Sequence, residues 1–364
     1  MKLLNRFFSP SLFKSLLFAF IAPLTLAACD SSKDVDVIVP KSESQSSDVN
    51  LKPGEGGGYI FAHMTMNNYG RLYYAVSRDA VDWTELNDAQ QINTDYYGHP
   101  NICKGGDGKW YMLGVSSTGN HHLILWFTSD LITWRHRDLP ESALSLTGKT
   151  FDGLTYVNSE WFGAPKLFYD EASGQYMITW HAGVSGLTGD ASWESRRTFY
   201  CLTKDFKTFT ESKRLFNFTG ADANCATIDV VIYKQNNTYY AVLKDERWPE
   251  HSPYGKTIRI AKSQSLTGPY SNPGPNITET SEWHEAPIIF PSPDGSKMYL
   301  YTEAYATTGH PYNMYSASSL ENTSWTKMSN TPPTGSRHGW IIKVDENTYE
   351  AVVNAFPNEN TSGK

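Results

Sequence analysis

The chain has 364 residues and a formal net charge of −7, with 19% charged and 14% aromatic side chains. It has no basic cluster against that acidic balance, which argues against nucleic acid as a partner. The length allows two domains on size alone, but the sequence repeats itself in a way that argues for one.

At the N-terminus, Lys2 and Arg6 precede an apolar run from about Leu16 to Leu26, followed by Ala27-Ala28-Cys29. This is the layout of an export signal, and the run is short for a membrane span. Leu26-Ala27-Ala28-Cys29 resembles the bacterial lipoprotein signal. The resemblance implies a signal peptide at 1–28, acyl chains on Cys29, and a location on the periplasmic or cell-surface side. Membrane contact would then run through the lipid anchor only. An ordinary secretory signal with a chance cysteine is the alternative. Residues 29–57 are rich in Ser, Asp, Gly and Pro and read as a flexible tether. A domain at 58–356 and a tail at 357–364 follow.

The domain opens on an incomplete repeat, Tyr59–Met64 and Leu72–Ser77 closing on Trp83. A full copy runs from Pro100 to Trp134: Asn101-Ile102-Cys103, the turn Gly105–Gly108, Trp110–Val115, His122–Phe127, then Ser129-Asp130 and Trp134. The next has Pro165–Tyr169, Tyr176–Trp180, Phe199–Leu202 and Phe209. A further copy has Val230–Tyr233, Tyr239–Leu243, Ile258–Ala261 and Tyr270. The last has Pro287–Phe290, Met298–Tyr301, Tyr312–Tyr315 and Trp325. Short β-branched and aromatic runs punctuated by Gly, Asp, Asn and Ser are strands and turns. No convincing amphipathic helix is visible after the signal.

A four-strand unit recurring at roughly 50 to 75 residues predicts an all-β, five-bladed β-propeller. The incomplete first copy lacks an inner strand, and Gly339–Val344 supplies it. Both chain ends then share one blade, and the ring has no open edge there.

Besides Cys29, the chain has Cys103, Cys201 and Cys225, which allow at most one disulfide in an exported protein. Cys201–Cys225 is the likelier pair, and two free buried thiols are an equal alternative. No Cys/His spacing forms a zinc site. In a propeller, inner-strand starts face the axial funnel. Aligning the copies puts His99-Pro100, Ala164-Pro165, Asp229-Val230 and Glu285-Ala286-Pro287 there. Carboxylates from neighbouring blades suit glycoside hydrolysis, one protonating the leaving oxygen and another activating water.

Leu72–Ser77, Ala164–Asp170, Ile228-Asp229, Lys244-Asp245-Glu246, Gly268-Pro269-Tyr270, Glu285-Ala286-Pro287 and Arg337-His338-Gly339 resemble, in order and spacing, glycoside hydrolase family 43, a relative of family 32. The resemblance covers about Tyr59 to Val353. It implies Glu285 as general acid, and Asp229 as the acid that raises its pKa and orients it. It places His338 near the axis, close to an ion or water, and makes Arg337 and His338 substrate-binding candidates. The family's Asp base has no counterpart: His99 occupies its position in Gly98-His99-Pro100. A neutral imidazole accepts a proton near neutral pH, and Asp95, Asp152 and Glu160 are the alternative bases. His63, Trp161 and His284 complete the substrate-binding candidates.

The expectation is therefore a monomeric, lipid-anchored enzyme that cleaves plant- or algal-type oligosaccharides or polysaccharides by inversion. It requires no cofactor, and a structural calcium ion at the propeller axis is the one metal the resemblance suggests. Two rivals are a catalytically inactive glycan-binding lipoprotein, and a glycosidase in which a histidine replaces the Asp base. Specificity would reside in blade-connecting loops such as Gly183–Arg197 and Arg247–Gly255.

Overall fold

The computed structural model of the chain describes residues 35–36, 56–116, 122–140, 142–158 and 163–359. Cys29 and the expected signal peptide, Glu160 and Trp161 lie outside them. The described strands form five antiparallel sheets, the blades of a five-bladed propeller. Blade one orders Ser336–Val344, Gly58–Thr65, Asn68–Ser77 and Thr84–Glu85. Blade two has Cys103–Lys104, Trp110–Val115, Leu123–Thr128 and Arg135–Asp138. Blade three has Lys166–Asp170, Gln175–Val184, Arg197–Thr203 and Lys213–Arg214. Blade four has Thr227–Gln235, Thr238–Asp245 and Thr257–Ser263. Blade five has Glu285–Pro291, Met298–Glu303, Tyr312–Ala317 and Thr326–Met328.

The ring closes as the incomplete first copy predicts. Ile60 pairs with Ile342 and Phe61 with Ile341, and the closing strand reaches back to Ser336. The recurring turn has a local cause. In blade one the Ser77 hydroxyl accepts from the Ala80 amide, while Asp79 Oδ1 accepts from the amides of Val81 and Asp82. Thr128 with Asp130 and Thr203 with Asp205 repeat the arrangement in blades two and three. Such Asx- and ST-type turns satisfy amides that the strands leave unpaired. The aromatic that closes the turn reaches back to the preceding blade of the ring. Trp134 Nε1 donates to the Tyr74 hydroxyl at 3.1 Å, and Trp83 Nε1 donates to that of Tyr301 at 3.1 Å. Each blade thus buries its faces against its neighbours in shared clusters, such as Tyr74, Trp126 and Trp134 between blades one and two.

Three features depart from the sequence reading. Glu346–Ala355 is an α-helix, N-capped by Asp345, whose Oδ1 accepts from the Thr348 amide at 2.7 Å. Tyr349, Ala351, Val352 and the following Phe356 are buried and pack under blade one, a short apolar face without the longer periodic pattern by which a helix is read from sequence. A short helix, Gly189–Glu194, lies in the long connection within blade three. Finally, within the stretch expected as tether, Val35–Asp36 pairs antiparallel with Arg135–His136 at the outer edge of blade two.

The three cysteines of the propeller are thiols, Cys201 and Cys225 being buried. Burial pushes the Cys201 thiol up to about 12, so it packs as a small apolar group.

Candidate active site

The inner strands of blades four and five start at the funnel with a bulge each, between Ile228 and Val231 and between Glu285 and Ile288. The residue inside the bulge is left-handed in both: Asp229 at φ 51° and Ala286 at φ 50°. Ala164 and His338 share the conformation in blades three and one. A bulge re-aims side chains at the end of a ladder, and here it turns strand ends toward the axis. It also corrects the alignment by one residue: Asp229 is the counterpart of Ala286, not of Glu285. The offset lets Asp229 Oδ2 accept from the Ala286 amide at 3.1 Å. One carboxylate therefore fixes the backbone beside the other.

Glu285 is surrounded by cations. Its Oε2 lies 3.2 Å from Lys244 Nζ, and its Oε1 lies 3.0 Å from Arg337 Nη2 and 3.2 Å from His338 Nε2. Burial by itself would raise this carboxyl's pKa. Lys244, His338 and Arg337 outweigh it and hold Glu285 well below the usual carboxylate range. Burial opposes charging of His338, but Glu285 prevails and raises the imidazole pKa. The pair thus favours an ionised carboxylate and strengthens the imidazole's hold on its proton.

Behind them stands Glu303, paired with Glu285 across the blade and wholly buried. Its carboxylate contacts Arg337 Nε and accepts from the His338 amide at 3.3 Å. Burial, partly offset by His338, pushes its pKa up to about 7. Sequence reasoning missed Glu303. The available signal was an acid ending the apolar run Tyr299–Thr302, at the level where blade four ends on Lys244-Asp245. Lys244 was visible only as part of a motif; its ammonium bridges Glu285 and Glu246, the latter at 2.7 Å.

His99 joins the group from blade two. Its ring stacks on that of His338 at 4.1 Å and 21°, and its Nε2 lies 2.9 Å from the Tyr69 hydroxyl. Burial, helped by His338 and Lys166, pushes its pKa well below that of a free imidazole, so the ring is neutral. The structure therefore brings together Glu285, Asp229, His99, Arg337 and His338.

It does not bring the other described candidates there. His63 is 1% exposed, its Nδ1 3.0 Å from the Met64 carbonyl and its ring stacked on Tyr73 inside blade one. His284 is completely buried behind blade five, between Glu279, Glu282 and Tyr315. Burial pushes both imidazoles down to about 4, which fits core histidines rather than sugar contacts. Asp95 is exposed, its own amide bonded to Asn93. Asp152 is exposed and ion-paired with Arg214. Neither reaches the Glu285 group. A strand sequence gives no indication of which end of the blade a flanking residue faces, so these assignments had no geometric filter.

Glu285, Glu303 and His338 offer ligand atoms within 4.8 Å of one another. Lys244 and Arg337 already face those carboxylates, and calcium takes an all-oxygen shell. The trio does not fit the expected ion.

A family model described as a probable glycosyl hydrolase domain, related to family 43, matches residues 55–350. No curated protein matches. Among solved structures, a thermostable family-43 glycoside hydrolase is 18% identical, with a TM-score of 0.45 over 66% of this chain and 74% of its own. An exo-1,5-α-L-arabinanase from a bovine ruminal metagenomic library is 17% identical, with a TM-score of 0.49 over 75% and 94%. The exo-β-1,3-galactanase of Phanerochaete chrysosporium is 15% identical, with a TM-score of 0.45; the match covers 68% of this chain and 54% of that enzyme.

Proposed function

The chain belongs to the family-43-related glycosyl hydrolases, and from that premise we propose that it hydrolyses a glycosidic bond in a plant- or algal-type glycan with inversion. The observation that supports this best is the Glu285–His338 pair at the funnel, 3.2 Å apart, with the imidazole pKa raised by the carboxylate. A general acid needs a proton at the operating pH and a partner that tunes its release. Here the proton rests on His338 and Glu285 is its outlet. As the bond to the leaving oxygen breaks, the proton moves from His338 to Glu285 and from Glu285 to that oxygen, leaving His338 neutral and Glu285 ionised until solvent returns the proton. Asp229 keeps Glu285 aimed by binding the Ala286 amide. On the opposite side of the sugar, water attacks the anomeric carbon and gives its proton to the neutral His99 ring, which stands where a carboxylate base is usual. Inversion follows from the water attacking opposite the leaving group.

The proposal includes export, with Cys29 carrying a lipid anchor and the following residues linking it to the propeller. Incubating the full chain with a panel of neutral and acidic oligosaccharides tests the activity. Released sugar is expected, with loss in Glu285→Gln; full activity in that variant would overturn the assignment. A second reading rests on a specific observation too: Lys244, Arg337 and His338 all contact Glu285 and favour its ionised form, which also suits a binding protein that does not turn over. Retention of a glycan without product release would select that reading.

A further inference from the structure

Beside the Glu285 group, blades three and four enclose two cations that the proposed hydrolysis does not use. Lys166 pairs across the sheet with Thr179, and His181 pairs with Thr198. Side chains alternate along strands, so Lys166, His181 and, two residues before Thr198, Arg196 project from one face of blade three. That face looks at blade four: the Thr179 hydroxyl donates to the Val230 carbonyl at 3.2 Å and the Thr198 hydroxyl to that of Thr227 at 3.1 Å. Lys166 is 4% exposed, His181 7% and Arg196 9%. Among the described residues, no carboxylate lies within the 4.0 Å of an ion pair from Lys166 or Arg196. The nearby acids are committed elsewhere: Asp229 to the Ala286 amide, and Glu246 to Lys244 and Lys256 at 2.7 Å each.

A buried charge without a contacting partner is costly; Asp229 and Glu246 favour the charges of Lys166 and Arg196, but only from beyond ion-pair distance. The field is concentrated there. Burial first, then Arg196, Lys244, His338 and Lys166, drive the His181 pKa far below that of a free imidazole; burial likewise lowers Lys166 and Arg196. The buried Nδ1 of His181 and Nε of Arg196 have no hydrogen-bond partner. Arg196 also lies over the ring of Trp193, 4.2 Å away, and that indole is 43% exposed. An exposed indole next to a guanidinium offers a sugar ring a stacking platform and its acid group a partner.

We infer that the substrate is an anionic glycan, and that Lys166, His181 and Arg196 receive the carboxylate of a uronic acid or the sulfate ester of a sulfated sugar next to the scissile bond. The inference rests on the proposed hydrolase reading for its location, and it adds the substrate class. The anion would supply the direct ion pair that Asp229 and Glu246, which act on Lys166 and Arg196 from beyond 4.0 Å, do not make, and its oxygens would accept from the His181 and Arg196 nitrogens now without partners. Charge-assisted hydrogen bonds of this kind correspond to a preference on the order of 10- to 100-fold over a neutral counterpart.

The test compares matched pairs on the full chain: uronate oligosaccharides with their methyl esters, and sulfated galactan oligosaccharides with their desulfated forms. Cleavage and calorimetric binding are both measured. The expected result is a preference on the order of 10- to 100-fold for one charged series, falling in Lys166→Met and Arg196→Gln and weakening with added salt. The uronate arm responding alone assigns a carboxylate, the sulfate arm alone a sulfate. Cleavage of neutral and charged partners at equal rates would overturn the inference and leave the hydrolase standing. Saturable binding of the charged series without cleavage would support the inference and overturn the hydrolase. Neither binding nor cleavage of any charged member would overturn the inference. Because the preference is read on the unaltered protein, a variant that fails to fold does not blunt the test.

Discussion

Glu285 Oε1 and His338 Nε2 lie 3.2 Å apart, joining the inner strand of blade five to that of blade one. Neither residue would hold its charge state alone in so buried a place. Together they form an ion pair that Arg337 and Lys244 extend. The Glu285→Gln variant keeps the shape and removes the proton outlet. It is expected to lose about a thousandfold in kcat and also to melt at a lower temperature, because Lys244, Arg337 and His338 lose a buried partner; steady-state kinetics on any cleaved glycan, at a temperature where a thermal melt shows the variant folded, check it.

The pH profile follows from the same pair. His338 has a raised pKa, so it keeps its proton to a higher pH than a free imidazole and loses it as pH rises through the raised value. The alkaline limb of kcat should lie above the ordinary imidazole value of about 6.5. His99 has a lowered pKa, so it stays neutral until pH falls far below that value. The profile is therefore expected to be flat through the slightly acidic range. Replacing His338 with Gln should remove the alkaline limb, and His99→Ala should lower kcat across the whole range.

Glu303 predicts a stability effect. Its folded pKa, about 7, lies above the usual 4.5 of a glutamate. The native state thus binds the proton more tightly than the unfolded chain. The resulting stability is fully present below about 4.5 and is lost as pH rises through about 7. Glu303→Gln should flatten this part of the curve, so that the variant gains on the parent between pH 5 and about 8. Chemical denaturation at several pH values reads the difference.

Asp229 separates charge from geometry. Asp229→Asn retains an oxygen for the Ala286 amide, whereas Asp229→Ala leaves that amide, now at 3.1 Å from Oδ2, without its partner. The Asn variant is expected to fold with near-parental stability and reduced kcat. The Ala variant should lose a further 1–3 kcal/mol, roughly the cost of a buried unsatisfied donor. Equal stability of the two variants would contradict the positioning role.

Asp345 caps the C-terminal helix by accepting from Thr348. Asp345→Ala should lower stability by about 1 kcal/mol with no change in kcat, because the helix packs under blade one, away from the Glu285 group. Parallel melts and kinetics check both halves.

The blades were legible because their signals are local. Ser77 and Asp79 build their turn from amides within five residues, so the repeat survives as a sequence phrase. Ring closure was legible because the first copy visibly lacked a strand that Ser336–Val344 supplies. Glu285, Asp229, His99 and His338 were legible as strand-end residues, though the bulge that offsets Asp229 from Glu285 was not, since Asp and Ala occupy the same left-handed position. What stayed hidden depends on distant partners. Glu303 matters through Arg337, thirty-four residues on, and Lys244 through Glu285. Lys166 and Arg196 become informative only when the fold shows that, among the described residues, no carboxylate forms an ion pair with them. His63 and His284 were misplaced for the converse reason: a histidine beside a strand reads alike whether it faces the funnel or the core.

The most direct measurement is the anomeric proton signal of the products, followed by NMR while the full chain acts on charged oligosaccharides. The account predicts a new reducing sugar that first appears in the inverted configuration and does not appear with Glu285→Gln. Product of retained configuration, or equal release by that variant, would contradict it.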